Sequence, residues 1–180
     1  MRLLEAVVAV LRERRIPHAV IGATALAFHG VSRATGDLDL FAVHVSCLDR
    51  DTWRPVVEEG YAVDIRPGDE SDPLAGVVRF EGIGEAPVDL VLGRWPWQAE
   101  ILSRAEPQSL LGVLVPVVRA TDLVLLKLYA GGPQDRWDIA QLLSTQARAD
   151  LVAGVQAALP QLPDDCTRLW ERVLAETASA

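Results

Sequence analysis

Two aspartates that flank a single leucine constrain this chain more than any other feature of its sequence. Asp37 and Asp39 lie in the stretch GVSRATGDLDLF, between a glycine and an apolar run. The run DLDLFAV has the composition of a buried strand, and successive side chains of a strand point to opposite faces. We therefore expect Asp37 and Asp39 to share one face and Leu38 and Leu40 to lie in the core.

Two carboxylates this close repel each other unless a cation lies between them. Mg²⁺ is the natural partner, because it prefers hard oxygen ligands and leaves coordination positions open for water and phosphate. The alternative is a solvated strand end whose two acids bind no metal.

The residues upstream of this pair favour an anion site. In VIGATALAFHG a strand runs into Gly22, and a helix is predicted directly after it. The N-terminus of a helix presents free backbone N–H groups to an anion. Thr24 adds a hydroxyl at that point, and Arg33, shortly before the acids, is within reach of a phosphate. The pattern predicts an anion site next to a metal site.

A third carboxylate is expected on another strand. Asp89, in APVDLVLG, lies between apolar residues typical of a central strand, where a charge needs a reason to be buried. Asp64, in YAVDI, is the rival. Asp89 also has the ordinary interpretation of an acid that faces water at the edge of a sheet.

The rest of the chain indicates an α+β fold. Residues 2–15 have the apolar spacing of an amphipathic helix, and the strands are predicted at HAVIG, DLDLFAV, YAVDI, GVVRF and PVDLVLG. GVLVPVV is predicted as an edge strand, because Pro116 cannot donate to a ladder. After Arg119 only helical patterns remain. We predict an α/β core over residues 1–118 and a helical part over 119–180 packed on it.

Three stretches resemble one known superfamily: IGATALAFHGVSRATGDLDLF, VDLVLG and DLVLLKLYAGGPQDRWDIAQLL. They look like the nucleotidyltransferase superfamily with the polymerase-β-type fold, closest to AbiEii-type and related bacterial nucleotidyltransferase-like proteins, some of which are toxins. The resemblance covers about residues 18–145. It implies a mixed sheet with flanking helices, and Mg²⁺-dependent transfer of a nucleotidyl group from a nucleoside triphosphate (NTP) to a hydroxyl of an RNA end, a protein or a small molecule.

The resemblance also assigns roles to residues. It implies that Asp37, Asp39 and Asp89 are catalytic and hold two Mg²⁺ ions. The residues that it assigns to the bound NTP are Gly22, Ala23, Thr24 and Lys127. We expect Arg33 to contact the NTP as well, because of its position shortly before the acids.

Lys127 is the only lysine of the chain. The resemblance places it on a helix, with an acidic motif, Asp135 and Asp138, on the next helix. We expect the Lys127 ammonium to contact the triphosphate; a surface lysine is the alternative. Asp135 and Asp138 are three residues apart and share a helix face. They either take part in catalysis or pair with Arg136 or another arginine.

Charge and composition limit the classes of partner that this chain can bind. The formal net charge is −8, which argues against extended nucleic-acid binding but permits a small anion at a local positive site. No apolar run is long enough to span a membrane. Two distant cysteines, Cys47 and Cys166, match no metal spacing and predict reduced thiols in the cytoplasm.

We expect an NTP and a hydroxyl acceptor as partners, with a cognate antitoxin protein if the chain is a toxin. The alternative is a nucleotide-binding or partner-binding protein of this fold with weak or no catalysis.

Overall fold

The structure is a computed structural model that describes residues 2–178. This part of the chain forms eight α-helices and one seven-stranded sheet. The helices are α1 (Leu3–Glu13), α2 (Gly22–Phe28), α3 (Arg54–Glu58), α4 (Pro96–Arg104), α5 (Ala120–Ala130), α6 (Pro133–Thr145), α7 (Arg148–Ala158) and α8 (Asp164–Ala178). The strands are β1 (His18–Val20), β2 (Leu38–Ala42), β3 (Ala62–Pro67), β4 (Gly76–Glu81), β5 (Val88–Leu92), β6 (Glu106–Leu110) and β7 (Val113–Val117).

The strands follow the order β3-β4-β5-β2-β1-β7-β6 across the sheet. The pairs β2–β5 and β1–β7 are parallel, and the other neighbours are antiparallel. The sheet is therefore mixed, and the predicted α+β class with flanking helices is confirmed.

The chain divides into two compact units. One unit comprises the residues up to Thr24 together with Ala34–Val118, and the other comprises Ala25–Arg33 together with the chain from Arg119 onward. The first unit contains the whole sheet, and the second contains α5 to α8. The division at residue 118 into an α/β core and a helical part packed on it stays a prediction.

The strands of the sheet unit are apolar because their side chains form its buried core. Leu40 and Phe41 on β2, with Leu90 on β5, are at most 1% exposed. The Trp53 ring meets the Phe80 ring edge-on, with centroids 4.7 Å apart, and the Trp53 indole N–H donates to the Cys47 carbonyl at 2.8 Å. A buried indole thus has its hydrogen-bond partner, as such a group requires.

One strand lies at a different position from the one predicted. The stretch GVLVPVV forms β7, but β7 is an inner strand between β1 and β6, and β6 is at the edge. The parallel pairing with β1 runs through Val117 and through the Val118 N–H, which donates to the Val20 carbonyl. Pro116 lies before this contact, opposite Pro107 of β6. The proline is tolerated inside the sheet because the contact with β1 starts after it.

The helical unit is built around α5, which packs against α6, α7 and α8. Leu123, Val124 and Leu128 of α5 are at most 2% exposed. Across residues 2–178, no helix has the length and apolar character needed to cross a membrane.

Candidate active site

The parallel pairing of β2 with β5 brings two of the predicted carboxylates together. Asp39 on β2 is the register partner of Asp89 on β5. Asp37 lies one residue before β2 begins, and its side chain is 41% exposed, whereas that of Asp89 is 18% exposed. The three acids are thus placed around the start of two adjacent strands.

The residues next to Asp89 on the following two strands of the sheet alternate in charge. Arg79 on β4 is opposite Asp89, and Asp64 on β3 is opposite Arg79. Directly opposed residues have Cβ atoms about 4.5–5.5 Å apart, so their side chains interact. Asp64 lies on the far side of Arg79 from Asp89, and its Oδ2 accepts from Arg66 at 2.7 Å. The structure therefore places Asp89 beside Asp39, and Asp64 two strands further away.

Arg79 contacts two of the carboxylates directly. Its Nη1 atom is 2.9 Å from Asp89 Oδ2 and 3.5 Å from Asp37 Oδ2, and its Nε donates to Glu81 at 2.9 Å. The sequence analysis missed Arg79. A signal was present, because GVVRF places one arginine in an otherwise apolar strand, and such a residue needs a charged partner on its face of the sheet.

The carboxyl group of Asp89 is perturbed by its surroundings. Burial raises the pKa of its carboxyl above the ordinary value; the Arg79 guanidinium opposes this rise, and the neighbouring Asp37 charge adds to it. The Asp89 Oδ1 atom is buried and has no hydrogen-bond partner among the described residues. A buried anionic oxygen without a donor is costly, and a bound cation would relieve that cost.

Gly22 lies against the Asp39 side chain. Its φ is +62°, and a Cβ atom at this position would lie 2.0 Å from Asp39 Oδ2. Only glycine combines this backbone conformation with so close an approach. The predicted turn of Gly22, Ala23 and Thr24 begins α2, and its left-handed residue is the glycine, so Ala23 carries no backbone strain.

The acids have the right donor atoms for a divalent cation, but in this structure their positions do not form a site for one. They supply hard carboxylate oxygens, including the unpartnered Oδ1 of Asp89. Within residues 2–178, however, no three Asp, Glu, His or Cys side chains converge on a common point that could hold a metal. The carboxylates of Asp37 and Asp89 contact the Arg79 guanidinium instead. The assignment of Mg²⁺ to Asp37, Asp39 and Asp89 stays a prediction.

Lys127 belongs to a buried ion cluster in the helical unit. Its Nζ donates to Asp138 Oδ2 at 2.5 Å and to Asp135 Oδ1 at 3.2 Å. The Lys127 side chain is 8% exposed and that of Asp138 is fully buried. The alternative of a surface lysine is therefore wrong. Asp135 also accepts the Gly132 N–H at 3.1 Å, which caps the start of α6.

Arg33 completes this cluster. Its Nε atom is 3.4 Å from Asp138 Oδ1. Asp138 thus pairs with Lys127 and with an arginine, while Arg136 is not its partner in any of these contacts. The contacts that Lys127 and Arg33 make here are to carboxylates, so their predicted contact with a triphosphate stays a prediction.

Residues 1–172 match the family described as nucleotidyl transferase of unknown function (DUF2204). The chain belongs to this nucleotidyl transferase family. A search of curated protein sequences found no match. The enzyme class predicted from the sequence is thus confirmed, whereas the likeness to the AbiEii-type branch stays an interpretation.

Solved structures show the same fold for this nucleotidyl transferase. The solution structure of the antibiotic-resistance factor ANT(2″)-Ia is similar to it with a TM-score of 0.54 and 17% identity, over 86% of this chain and 88% of that chain. A proposed nucleotidyltransferase from Thermotoga maritima is similar with a TM-score of 0.53 and 14% identity, over 81% and 92% of the two chains. These likenesses confirm the polymerase-β-type nucleotidyltransferase fold.

A first prediction concerns Gly22. Gly22→Ala forces a left-handed backbone on alanine and pushes Asp39 aside. Gly60→Ala is the matched control, because Gly60 has a φ of +92° but open space where the Cβ would lie. We expect urea denaturation to show a loss of about 1–2 kcal/mol for the control and about 1–3 kcal/mol more for Gly22→Ala. Equal losses would show that the contact with Asp39 does not constrain the turn.

A second prediction concerns the pH dependence of stability. Because the pKa of Asp89 is raised in the folded chain, the native state binds more protons than the unfolded state above the unfolded pKa of about 3.9. The free energy of unfolding of the parent should therefore rise, relative to Asp89→Asn, as the pH falls from about 7 towards that value. Urea denaturation of both proteins in metal-free buffer measures this difference. A relative stability of the parent that falls with the pH would contradict the raised pKa.

A third prediction concerns Lys127. Lys127→Ala leaves the Asp138 carboxylate buried without its ammonium partner and should cost about 3–5 kcal/mol of unfolding free energy. The control is Arg168→Ala, which removes a cation from an exposed pair with Asp165, whose side chains are 67% and 84% exposed. That loss should lie within about 1 kcal/mol. A Lys127→Ala protein as stable as the control would mean that the cluster contributes little to the fold.

Proposed function

We propose that this nucleotidyl transferase moves a nucleotidyl group from an NTP to a hydroxyl acceptor, and that Asp37, Asp39 and Asp89 hold the divalent cations that the reaction requires. The observation that supports this most directly is the register of β2 and β5. Asp39 is opposite Asp89 in this register, and Asp37 lies one residue before β2 begins.

Divalent cations, when bound, would neutralise the triphosphate and make the acceptor hydroxyl more acidic. The acceptor oxygen forms a bond to the α-phosphorus as the bond to the pyrophosphate oxygen breaks, and the pyrophosphate leaves. The hydroxyl proton must pass to a base. We assign this role to Asp89, because its pKa is raised by burial and its Oδ1 atom has no donor among residues 2–178.

The phosphate-binding part of the proposal rests on the turn at Gly22. The backbone there approaches Asp39 so closely that a side chain is excluded, and Ala23 and Thr24 follow in the first turn of α2. We assign these three residues to the phosphates. Lys127 is assigned to the NTP by the resemblance alone, and Arg33 by its position in the sequence shortly before Asp37. The contacts of both side chains in the structure are to carboxylates.

We propose a small hydroxylated molecule as the acceptor. The net charge of −8 disfavours a long polyanion such as RNA. ANT(2″)-Ia, which shares the fold at 17% identity, has been crystallised with adenylyl-2″-tobramycin. A toxin role with a cognate antitoxin is implied only by the AbiEii resemblance. Two free, buried thiols, Cys47 and Cys166, are consistent with the cytoplasm as the location.

The test uses labelled NTPs, Mg²⁺ and a cell extract separated into small-molecule, RNA and protein fractions. We expect label in the small-molecule fraction. Asp89→Asn should lower the rate at least about 100-fold, since it removes both a cation ligand and the base. Asp64→Asn is the matched control: it makes the same change on the same sheet face, at a 57% exposed side chain, and should stay within about threefold of the parent.

The outcomes separate the parts of the proposal. Label in RNA or protein would overturn the choice of acceptor, and a loss in Asp64→Asn without a loss in Asp89→Asn would exchange the third carboxylate. NTP binding without any transfer would leave a nucleotide-binding protein of this fold in place of the enzyme.

A further inference from the structure

One basic side chain stands among the acids of the sheet face. A single atom, Nη1 of Arg79, lies 2.9 Å from Asp89 Oδ2 and 3.5 Å from Asp37 Oδ2. We propose that Arg79 is an internal counter-ion of the carboxylate site, and that an incoming divalent cation displaces its guanidinium from Asp37 and Asp89. This inference rests on the proposed function, because it concerns the metal that the function requires.

The charges explain why the metal-free chain needs such a counter-ion. Asp39 and Asp89 are direct cross-strand partners, and Asp37, one residue before β2, lies 3.5 Å from the Arg79 atom that also contacts Asp89. Like charges directly opposed across two strands destabilise the sheet. The guanidinium supplies the positive charge that a metal would otherwise supply, at 29% exposure, where solvent screens it only partly.

The contacts of Arg79 explain why it must move. The oxygens that it contacts, Asp37 Oδ2 and Asp89 Oδ2, belong to the carboxylates assigned to the metal. An Mg²⁺ ion that binds both carboxylates requires their oxygens at about 2.0–2.1 Å from the ion. Arg79 Nη1 lies 2.9 Å and 3.5 Å from the same carboxylates, so they must move closer together than its N–H group permits. A guanidinium and a divalent cation at the same oxygens would also repel each other. The guanidinium in its present position accounts for the acids' failure to converge on a common point in residues 2–178.

The surroundings of Arg79 provide a second position for its guanidinium. Its Nε donates to Glu81, whose side chain is 58% exposed. A cavity of about 180 Å³ opens next to it, lined by Ala62, Val63, Asp64, Arg66, Arg79 and Glu81. Asp64 is the cross-strand partner of Arg79 on β3. The guanidinium can therefore turn towards β3, keep Glu81 and gain Asp64, while Asp37 and Asp89 are released.

The consequence is that Arg79 lowers the affinity of the site for a divalent cation. Part of the binding free energy of the metal is used to break the contacts of Arg79 with the two acids. Removal of the guanidinium should therefore tighten metal binding, which is the opposite of what the loss of a residue that only supports the site would do.

The test measures Mn²⁺ binding without NTP, from the electron paramagnetic resonance signal of free Mn²⁺, for four proteins: parent, Arg79→Gln, Arg79→Lys and Arg66→Gln. Arg66→Gln is the matched control, because it removes the same charge from the neighbouring strand, where Arg66 pairs with Asp64. We expect Arg79→Gln to bind Mn²⁺ about three- to tenfold more tightly than the parent, the scale of two partly exposed ion pairs. Arg66→Gln should stay within about twofold, since Arg66 pairs with Asp64 and its 70% exposed side chain is screened by solvent.

Arg79→Lys serves as a second variant if Arg79→Gln fails to fold, which circular dichroism would show. A lysine keeps the charge but lacks the planar fork that lets Arg79 hold Glu81 and Asp89 together, so its binding of Mn²⁺ should lie between those of the parent and Arg79→Gln. Either folded Arg79 variant that binds Mn²⁺ no more tightly than the parent overturns the inference, as does an equal gain in Arg66→Gln. A parent that binds no Mn²⁺ at all would instead overturn the metal site of the proposed function.

Discussion

The parallel contact between β2 and β5 is the interaction on which the candidate site depends. It aligns Asp39 with Asp89 and buries Leu40 and Leu90 on the other face of the same two strands. The apolar face supplies the free energy that keeps the strands in register, and the polar face uses that register to hold two like charges together. A slip of either strand by one residue would turn the acid of that strand towards the core and separate it from its partner. Packing on one face thus fixes the chemistry on the other.

Short-range patterns in the sequence were enough to predict much of the sheet unit. Apolar alternation placed β2, β4 and β5, and a charge inside an apolar run marked Asp39 and Asp89. Two elements left no such pattern. β6 has the sequence EPQSL and four of its five residues are exposed, so nothing in its composition marks a strand. α4 begins at Pro96 in a stretch whose apolar residues lack a clear helical stripe.

The partners of the charged residues were the harder part to predict. Strand alternation gives the face of a residue but not its neighbour on the next strand, so Arg79 could not be matched with Asp89 from the sequence. Asp64 and Asp89 were hard to tell apart for the same reason. Both lie on strands, and only the strand order shows which of them is next to Asp39. Lys127 was predicted on a helix, where it lies, but its burial depends on how α5 and α6 pack, which single-helix periodicity does not encode.

The burial of Lys127 has a chemical consequence for the whole protein. It is the only lysine in the sequence, and just 6% of the residue is exposed. The folded chain therefore offers almost no ε-amine to solvent, and the one amine it has is held as an ammonium between two carboxylates. Acylating reagents and modifying enzymes that attack a free lysine would reach this side chain only after the helical unit opens. Reaction at Lys127 would thus report local unfolding of that unit.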